Sequence, residues 1–220
     1  HLPAFTPLMA SWKRVLHIGL PAAATNLVVP LTTGLITSLV SRFGPEAVAA
    51  LGVASRIDLF AIMTVVALSS VMGPFTGQNI GAKNFGRLSA GINLSQRFAF
   101  FWGLLMLGVV VLLRRPIAGL FSEDPKVIEA LVLYLSIAPI GYAFRCLYAL
   151  DNTLLNVMDR PLTASGITMM QMFGLYLPGA YLGAELFGLP GVFGAIPLAF
   201  LGGGLVSLWF VQRQLKRLKH

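Results

Sequence analysis

Four ionisable residues sit inside long apolar stretches, and they are the first candidates for chemistry. Arg56 and Asp58 lie in VASRIDLFAIM, and Arg145 and Asp151 lie in YAFRCLYALDNTLL. A charge at the centre of a bilayer costs at least about 2.5–3.5 kcal/mol, so each should face protein or water. Arg56 and Asp58 are two residues apart, which on a helix turns them roughly 200° from one another. Arg145 and Asp151, six apart, also point in different directions. Pairing across helices is therefore expected, Asp58 with Arg145 or Arg56 with Asp151. Three roles stay open. The charges could form a static ion pair that locks two helices. They could line a central cavity in which an acid binds a proton or cation. They could also lie near an interface and snorkel to water.

Other polar groups in the same stretches are Asn26, Tyr148, Asn152, Asn156 and Gln171. Asn26 and Tyr148 join Arg56, Asp58, Arg145 and Asp151 as candidates for a substrate or ion pathway. A lone Asn in a span also serves as helix-to-helix glue. His17, near one end of the first span, reads as interfacial. Met63, Met106, Met169, Met170 and Met172 suit either ordinary packing or an adaptable apolar binding surface. No HExxH, GxSxG or GxxxxGK[ST] pattern is present, so the residues do not point to an enzyme, and no cofactor or metal site is expected. Cys146 is the only cysteine, which excludes an intrachain disulfide.

The elements that hold these residues are long apolar segments. Of 220 residues 56% are hydrophobic and only 11% charged, against about 25% charged in a soluble domain. The mean hydropathy is +0.80. Apolar runs of about 18 residues or more span a bilayer, and six are expected, over about 12–40, 46–72, 89–113, 126–157, 162–187 and 191–211. The stretch GPFTGQNIGAKNFGRL reads as a cytoplasmic loop, and RRPIAGLFSEDP as a turn. The fold class is thus all-α: a polytopic membrane protein with one six-helix transmembrane unit over residues 1–220. Pro21, Pro30, Pro139, Pro178 and Pro197 interrupt the spans, and each favours a bend. Bent helices either need neighbours to satisfy their freed carbonyls or line a wet cavity. Gly202, Gly203 and Gly204 permit close helix approach.

The net charge of +8 does not indicate nucleic acid, because the basic residues collect at the ends of the apolar runs rather than in one stripe. Lys13, Arg14, Lys83, Arg87, Arg97, Arg160, Arg213, Lys216, Arg217 and Lys219 fall on one side of the membrane. Arg42, Arg114, Arg115 and Lys126 fall on the other. The richer side should be cytoplasmic, which puts both ends of this chain in the cytoplasm of a cell whose inner membrane it spans. A chain that begins at His1 is expected to be a fragment or a processed product.

Three segments in order resemble the multidrug and toxic compound extrusion (MATE) family. GLPAAATNLVVPL (19–31) is similar to the opening of that family's seventh helix, and FGPEAVAALGVASRIDLF to the turn into its eighth. VMGPFTGQNIGAKNFGRL (71–88) resembles the loop that follows, and LDNTLLNVMDRPLTA the end of the tenth helix. The resemblance implies the second six-helix lobe of a twelve-helix transporter that exchanges Na+ or H+ for amphipathic organic compounds. Its partners would be the lipid bilayer and either an N-terminal lobe or a second copy. In the NorM-like branch, acids in the seventh and tenth helices bind the cation. Their positions fall here at Val29 and at or near Arg145, and the eukaryotic eighth-helix acid falls near Arg56. The resemblance therefore favours the DinF-like branch, in which the coupling acid belongs to the first lobe. Two other readings stand beside it. One is a lipid-linked oligosaccharide flippase of the same superfamily, with Arg56 and Arg145 on a pyrophosphate. The other is a membrane assembly subunit that transports nothing.

The orientation is open to direct test. Cysteines introduced as Lys216→Cys and Arg115→Cys should react with a membrane-impermeant maleimide from opposite faces of inverted vesicles. Labelling of both from one face would reverse the orientation derived from the Lys and Arg distribution.

Overall fold

The computed structural model describes residues 27–218, all helices and short connections, with no strand among them. Asn26, His17 and Pro21 lie outside the described residues. The first helix, α1, is described over Leu27–Phe43. Gly44, at φ 106°, makes the turn into α2, where Pro45 opens the helix and Glu46 occupies its first turn. Only a residue without a Cβ takes that φ without strain. A proline at the first position gives up no helical hydrogen bond. Glu46 also reaches Lys126, 3.8 Å away, on the same side of the bundle.

α2 runs over Pro45–Gly81 and α3 over Phe85–Leu112. The expected cytoplasmic loop after Met72 is instead mostly helix: α2 continues for two and a half more turns, and only 82–84 connect it to α3. The extra turns hold because Thr76 and Asn79 are buried and the Asn79 amide donates to the Phe75 carbonyl at 2.7 Å. Asn84 then caps α3 by accepting from the Arg87 backbone N–H at 3.2 Å. Likewise, the expected turn after α3 contains a short helix, α4, over Arg114–Phe121. Asp124 caps α5, its carboxylate accepting from the Lys126 N–H at 2.9 Å.

Helix α5 covers Pro125–Val157 and tightens to a 3-10 turn at Ala138–Gly141, around Pro139. Helix α6 covers 161–187 and widens to a π segment over Met170–Tyr176, one turn before Pro178. Proline 178 has no N–H for the carbonyl a turn earlier, and such a mismatch is a common origin of π segments and bends. Helix α7 runs over Leu189–Leu218 and contains Pro197. Helices α2, α3, α5 and α7 are each long and apolar enough to cross a membrane, so the chain is a multi-pass membrane protein. Four of the five expected prolines fall in described helices: Pro30 in α1, Pro139 in α5, Pro178 in α6 and Pro197 in α7.

Helix α5 is the axis of the bundle, packing against α2, α3 and α7, while α6 packs on α7. On α2 the buried residues are Asp58 and those at 47, 50, 54, 57, 61, 65, 69, 72, 76 and 79, the latter spaced three or four apart. That alternation of three and four is a seam of the coiled-coil type, and its upper half is Ala47, Ala50, Ala54 and Ala61, which lets α2 approach closely. The opposite face of α2 exposes Leu59, Phe60, Met63 and Val66, as lipid or a further lobe would require. Two apolar clusters result. One joins Ile36, Ala50, Leu131, Tyr134 and Phe193; the other joins Val65, Ile92, Leu150, Leu154 and Val211.

Helix α7 crosses its neighbours at glycines. Backbone meets backbone where Gly183 faces Gly191, at the hairpin between α6 and α7, and a Cβ on Gly141 would lie 2.7 Å from Pro197 Cα. A Cβ on Gly204 would lie 2.7 Å from the Phe144 carbonyl oxygen, whereas one on Gly202 would meet only the end of the Leu175 side chain, at 2.5 Å. Gly204→Ala should therefore destabilise the bundle by about 1–3 kcal/mol through overpacking, and Gly202→Ala by much less because Leu175 can move. Thermal unfolding of the two variants in detergent checks the difference.

A buried carboxylate cluster beside the lobe cavity

The candidate site is built where α2 meets α5. Asp58 lies on the buried seam of α2, in the turn between Ala54 and Ala61, and its side chain is 5% exposed. Burial of a carboxylate without partners costs several kcal/mol. Helix α5 supplies three donors. The Tyr134 hydroxyl donates to Oδ2 at 2.8 Å and the Tyr142 hydroxyl to Oδ1 at 2.6 Å. The Arg145 guanidinium forms an ion pair with Oδ2. Tyr134 precedes the 3-10 turn of α5, while Tyr142 and Arg145 follow it, so the tightened turn sets the phase of the two halves toward one carboxylate. The Arg145 guanidinium carbon also sits 5.0 Å from the centre of the Phe200 ring on α7, a cation–π geometry.

This cluster forms part of the wall of a cavity of about 390 Å³ between α1, α2, α5, α6 and α7. Asp58, Tyr134, Arg145, Gln171, Tyr176 and Phe200 line it, with Thr33, Thr37 and Ser55 adding hydroxyls. Thr33 and Thr37 spend their hydroxyl hydrogens on carbonyls of their own helix at 2.9 and 2.8 Å. Gln171 is 1% exposed and stands on the π segment of α6. Its Oε1 is buried with no hydrogen-bond partner among the described residues. Since buried polar atoms are nearly always paired, this amide is the cavity's unmet polar group.

The six candidate residues are thus divided by the structure. Asp58 and Arg145 come together, as one of the two expected cross-helix pairs. The other expected pair does not form: Arg56 is exposed on a different face of α2, while Asp151 is buried and bonded to Gln96 and Ser207. Tyr148 is half-buried beside the cavity, its hydroxyl 2.8 Å from Thr168 Oγ1 and its ring edge-on to Phe200. Asn26 lies outside the described residues. Reading the residues singly passed over Tyr134, Tyr142, Tyr176 and Phe200, because aromatic residues are ordinary in apolar helices. A usable signal was the pair of tyrosines flanking APIG just before the one arginine of that span.

The carboxylate with three donors behaves as an anchor of two helices. Removing one charge of such a pair costs about 3–5 kcal/mol because the other is left buried and uncompensated. Asp58→Asn and Arg145→Gln should each destabilise strongly, and the double variant should lose clearly less than the sum. A double-mutant cycle on detergent unfolding measures this, and additive losses would rule out the pair as an energetic unit.

Comparison with known proteins places this architecture. The MatE family model matches residues 21–182. A curated FAD transporter of Shewanella oneidensis is 32% identical over 206 residues, covering 94% of this chain and 46% of that protein. A probable multidrug resistance protein NorM of Thermotoga maritima is 24% identical over 86% of this chain and 40% of its own length. Among solved structures, the bent form of the Vibrio cholerae MATE transporter VcmN superposes with a TM-score of 0.87 at 28% identity, over 96% of this chain and 48% of that one. The chain spans about half the length of the relatives it matches, consistent with a single lobe. With the family model across most of its helices and this fold beneath it, the chain belongs to the MatE, or multidrug and toxic compound extrusion, family.

Proposed function

We propose that this chain is the second lobe of a cation-coupled antiporter, driven by Na+ or H+, that exports amphipathic organic compounds by alternating access. The observation that carries the reading is the cavity with its unpaired Gln171 amide in a lobe of this family. Its walls are largely apolar, with Tyr134, Tyr176 and Phe200 offering aromatic faces. Sites for small organic molecules have this character: apolar walls and a few placed polar groups. Arg145 brings a cation to the wall, but Asp58 neutralises it, so the cavity suits a planar aromatic compound with a polar edge better than a bare anion. The names of two relatives, an FAD transporter and a multidrug resistance protein, point to organic cargo of that kind.

The remaining half of the transporter would be an N-terminal lobe or a second copy of this lobe, docked on an apolar face such as that of Leu59, Phe60 and Met63. The protein would reside in the cell's inner membrane with both ends of this lobe cytoplasmic. Coupling requires that cation and cargo each bind the two conformations with different affinity. The bent helices α5 and α6, with their 3-10 and π turns, are the elements best suited to change shape.

Cation-driven uptake of aromatic compounds into inverted vesicles carrying the full-length protein tests the reading. Gln171→Leu keeps the volume and removes the amide. It should raise KM by about fivefold, near 1 kcal/mol for one hydrogen bond, with thermal stability retained. Absence of cation-dependent uptake, or a KM that Gln171→Leu leaves unchanged, would count against the cavity as the cargo site.

A further inference from the structure

Asp151 is the second buried acid, and its surroundings differ from those of Asp58. It lies on α5 with 0% exposure. The Gln96 amide on α3 donates to Oδ1 at 2.6 Å. Ser207 Oγ on α7 lies 3.2 Å from Oδ2 and 3.0 Å from the Gly204 carbonyl. Outward from Gln96, the Gln212 amide donates one hydrogen to Gln96 Oε1 and the other to Asn93 Oδ1, both at 2.8 Å. Asn93, Gln96 and Gln212 line an open groove of about 430 Å³.

The hydrogens decide the form of the acid. As a carboxylate, Asp151 has one full donor, Gln96, and a share of the single Ser207 hydrogen, which also points to Gly204. As a carboxylic acid, its own O–H is donated to Ser207 Oγ, Ser207 donates to Gly204, and Gln96 donates to the carbonyl oxygen. Each polar contact then joins one donor to one acceptor. Among the described residues no cation pairs with Asp151. Arg97 on α3, Arg56 and Asp58 on α2, Arg160 before α6, Arg213 on α7, and Arg145 and Tyr148 on α5 make no hydrogen bond or ion pair with Asp151; Arg145 is held by Asp58, Tyr148 by Thr168, and Arg213 lies over Trp209.

We propose that Asp151 is a proton-binding site of this lobe, a neutral acid donating to Ser207 and reached from the groove past Gln96 and Gln212. Release breaks the Oδ2–H bond, passes the proton to water in the groove and leaves a carboxylate. The Ser207 hydroxyl then turns from the Gly204 carbonyl to Oδ2. That switch sits at one of the close crossings of α7 and α5, Gly204 against Phe144, so the proton is placed to bias the angle between the two helices. The role of this proton as coupling ion rests on the antiport reading; its presence on Asp151 does not.

Infrared spectroscopy of the full-length protein in lipid separates the two. At neutral pH the wild type should show a protonated carboxyl C=O band that Asp151→Asn abolishes and Glu185→Gln, at an exposed position of α6, leaves in place. Ser207→Ala should shift its frequency by removing the acceptor. Should Asp151→Asn fail to fold, the Ser207→Ala shift alone identifies the band. A spectrum without a protonated carboxyl band at neutral pH, or a band insensitive to Ser207→Ala, overturns the proposal whether or not the protein transports. Loss of transport with the band intact overturns only the antiport reading.

Discussion

Burial of the Asp58 carboxylate is the constraint around which this lobe is arranged. A charge on the inner face of α2 cannot be left to lipid, and α2 itself offers no donor to it. The three donors come from α5, two of them tyrosines that add apolar bulk as well as a hydroxyl. They lie on one face of α5 and converge on Asp58 across the 3-10 turn at Pro139. The ion pair then fixes the register of α2 against α5, and α3 and α7 pack on the axis so formed.

Close approach of α7 is the second requirement. Gly141 against Pro197 and Gly204 against Phe144 bring α7 onto α5 without intervening side chains. Phe200, between these two crossings, reaches the Arg145 guanidinium. The cavity is the space that remains on the other side of Phe200, bounded by the π segment of α6 and by α1. Its widened turn carries Gln171 inward, and Gly203 gives that side chain room. Helix irregularities and the cavity are therefore parts of one arrangement, since irregular backbone within a membrane persists where protein or a polar cavity surrounds it.

The two buried acids are solved by opposite means. Asp58 meets a guanidinium and two phenols and serves as a structural anchor. Asp151, on α5 nearly two turns beyond Arg145, meets an amide and a serine that is already shared. One element thus carries a fixed charge toward the cavity and a neutralisable acid toward the groove. In a lobe that must change shape, such a division separates the interaction that preserves the fold from one that can vary with conditions.

The apolar runs alone determined that this is a helical membrane protein, and the charges inside those runs named Asp58, Arg145 and Asp151 as residues needing partners. That much follows from the cost of polar groups in hydrocarbon, which depends on residue type and local span. The segment 71–88 and the stretch 114–124 misled, because glycines and polar residues mark loops only when no neighbour buries them; Thr76, Asn79 and Ala118 are buried. Which arginine meets which aspartate was left as two possibilities by spacing along the chain. The tertiary structure decided it, since helix phase across the 3-10 turn and the packing of α2 on α5 place Arg145, and not Arg56, within reach. Gln96, Gln171 and Ser207 owe their importance to tertiary position alone, for a polar side chain declares its role only once its hydrogen-bond partners, or their absence, are set in space.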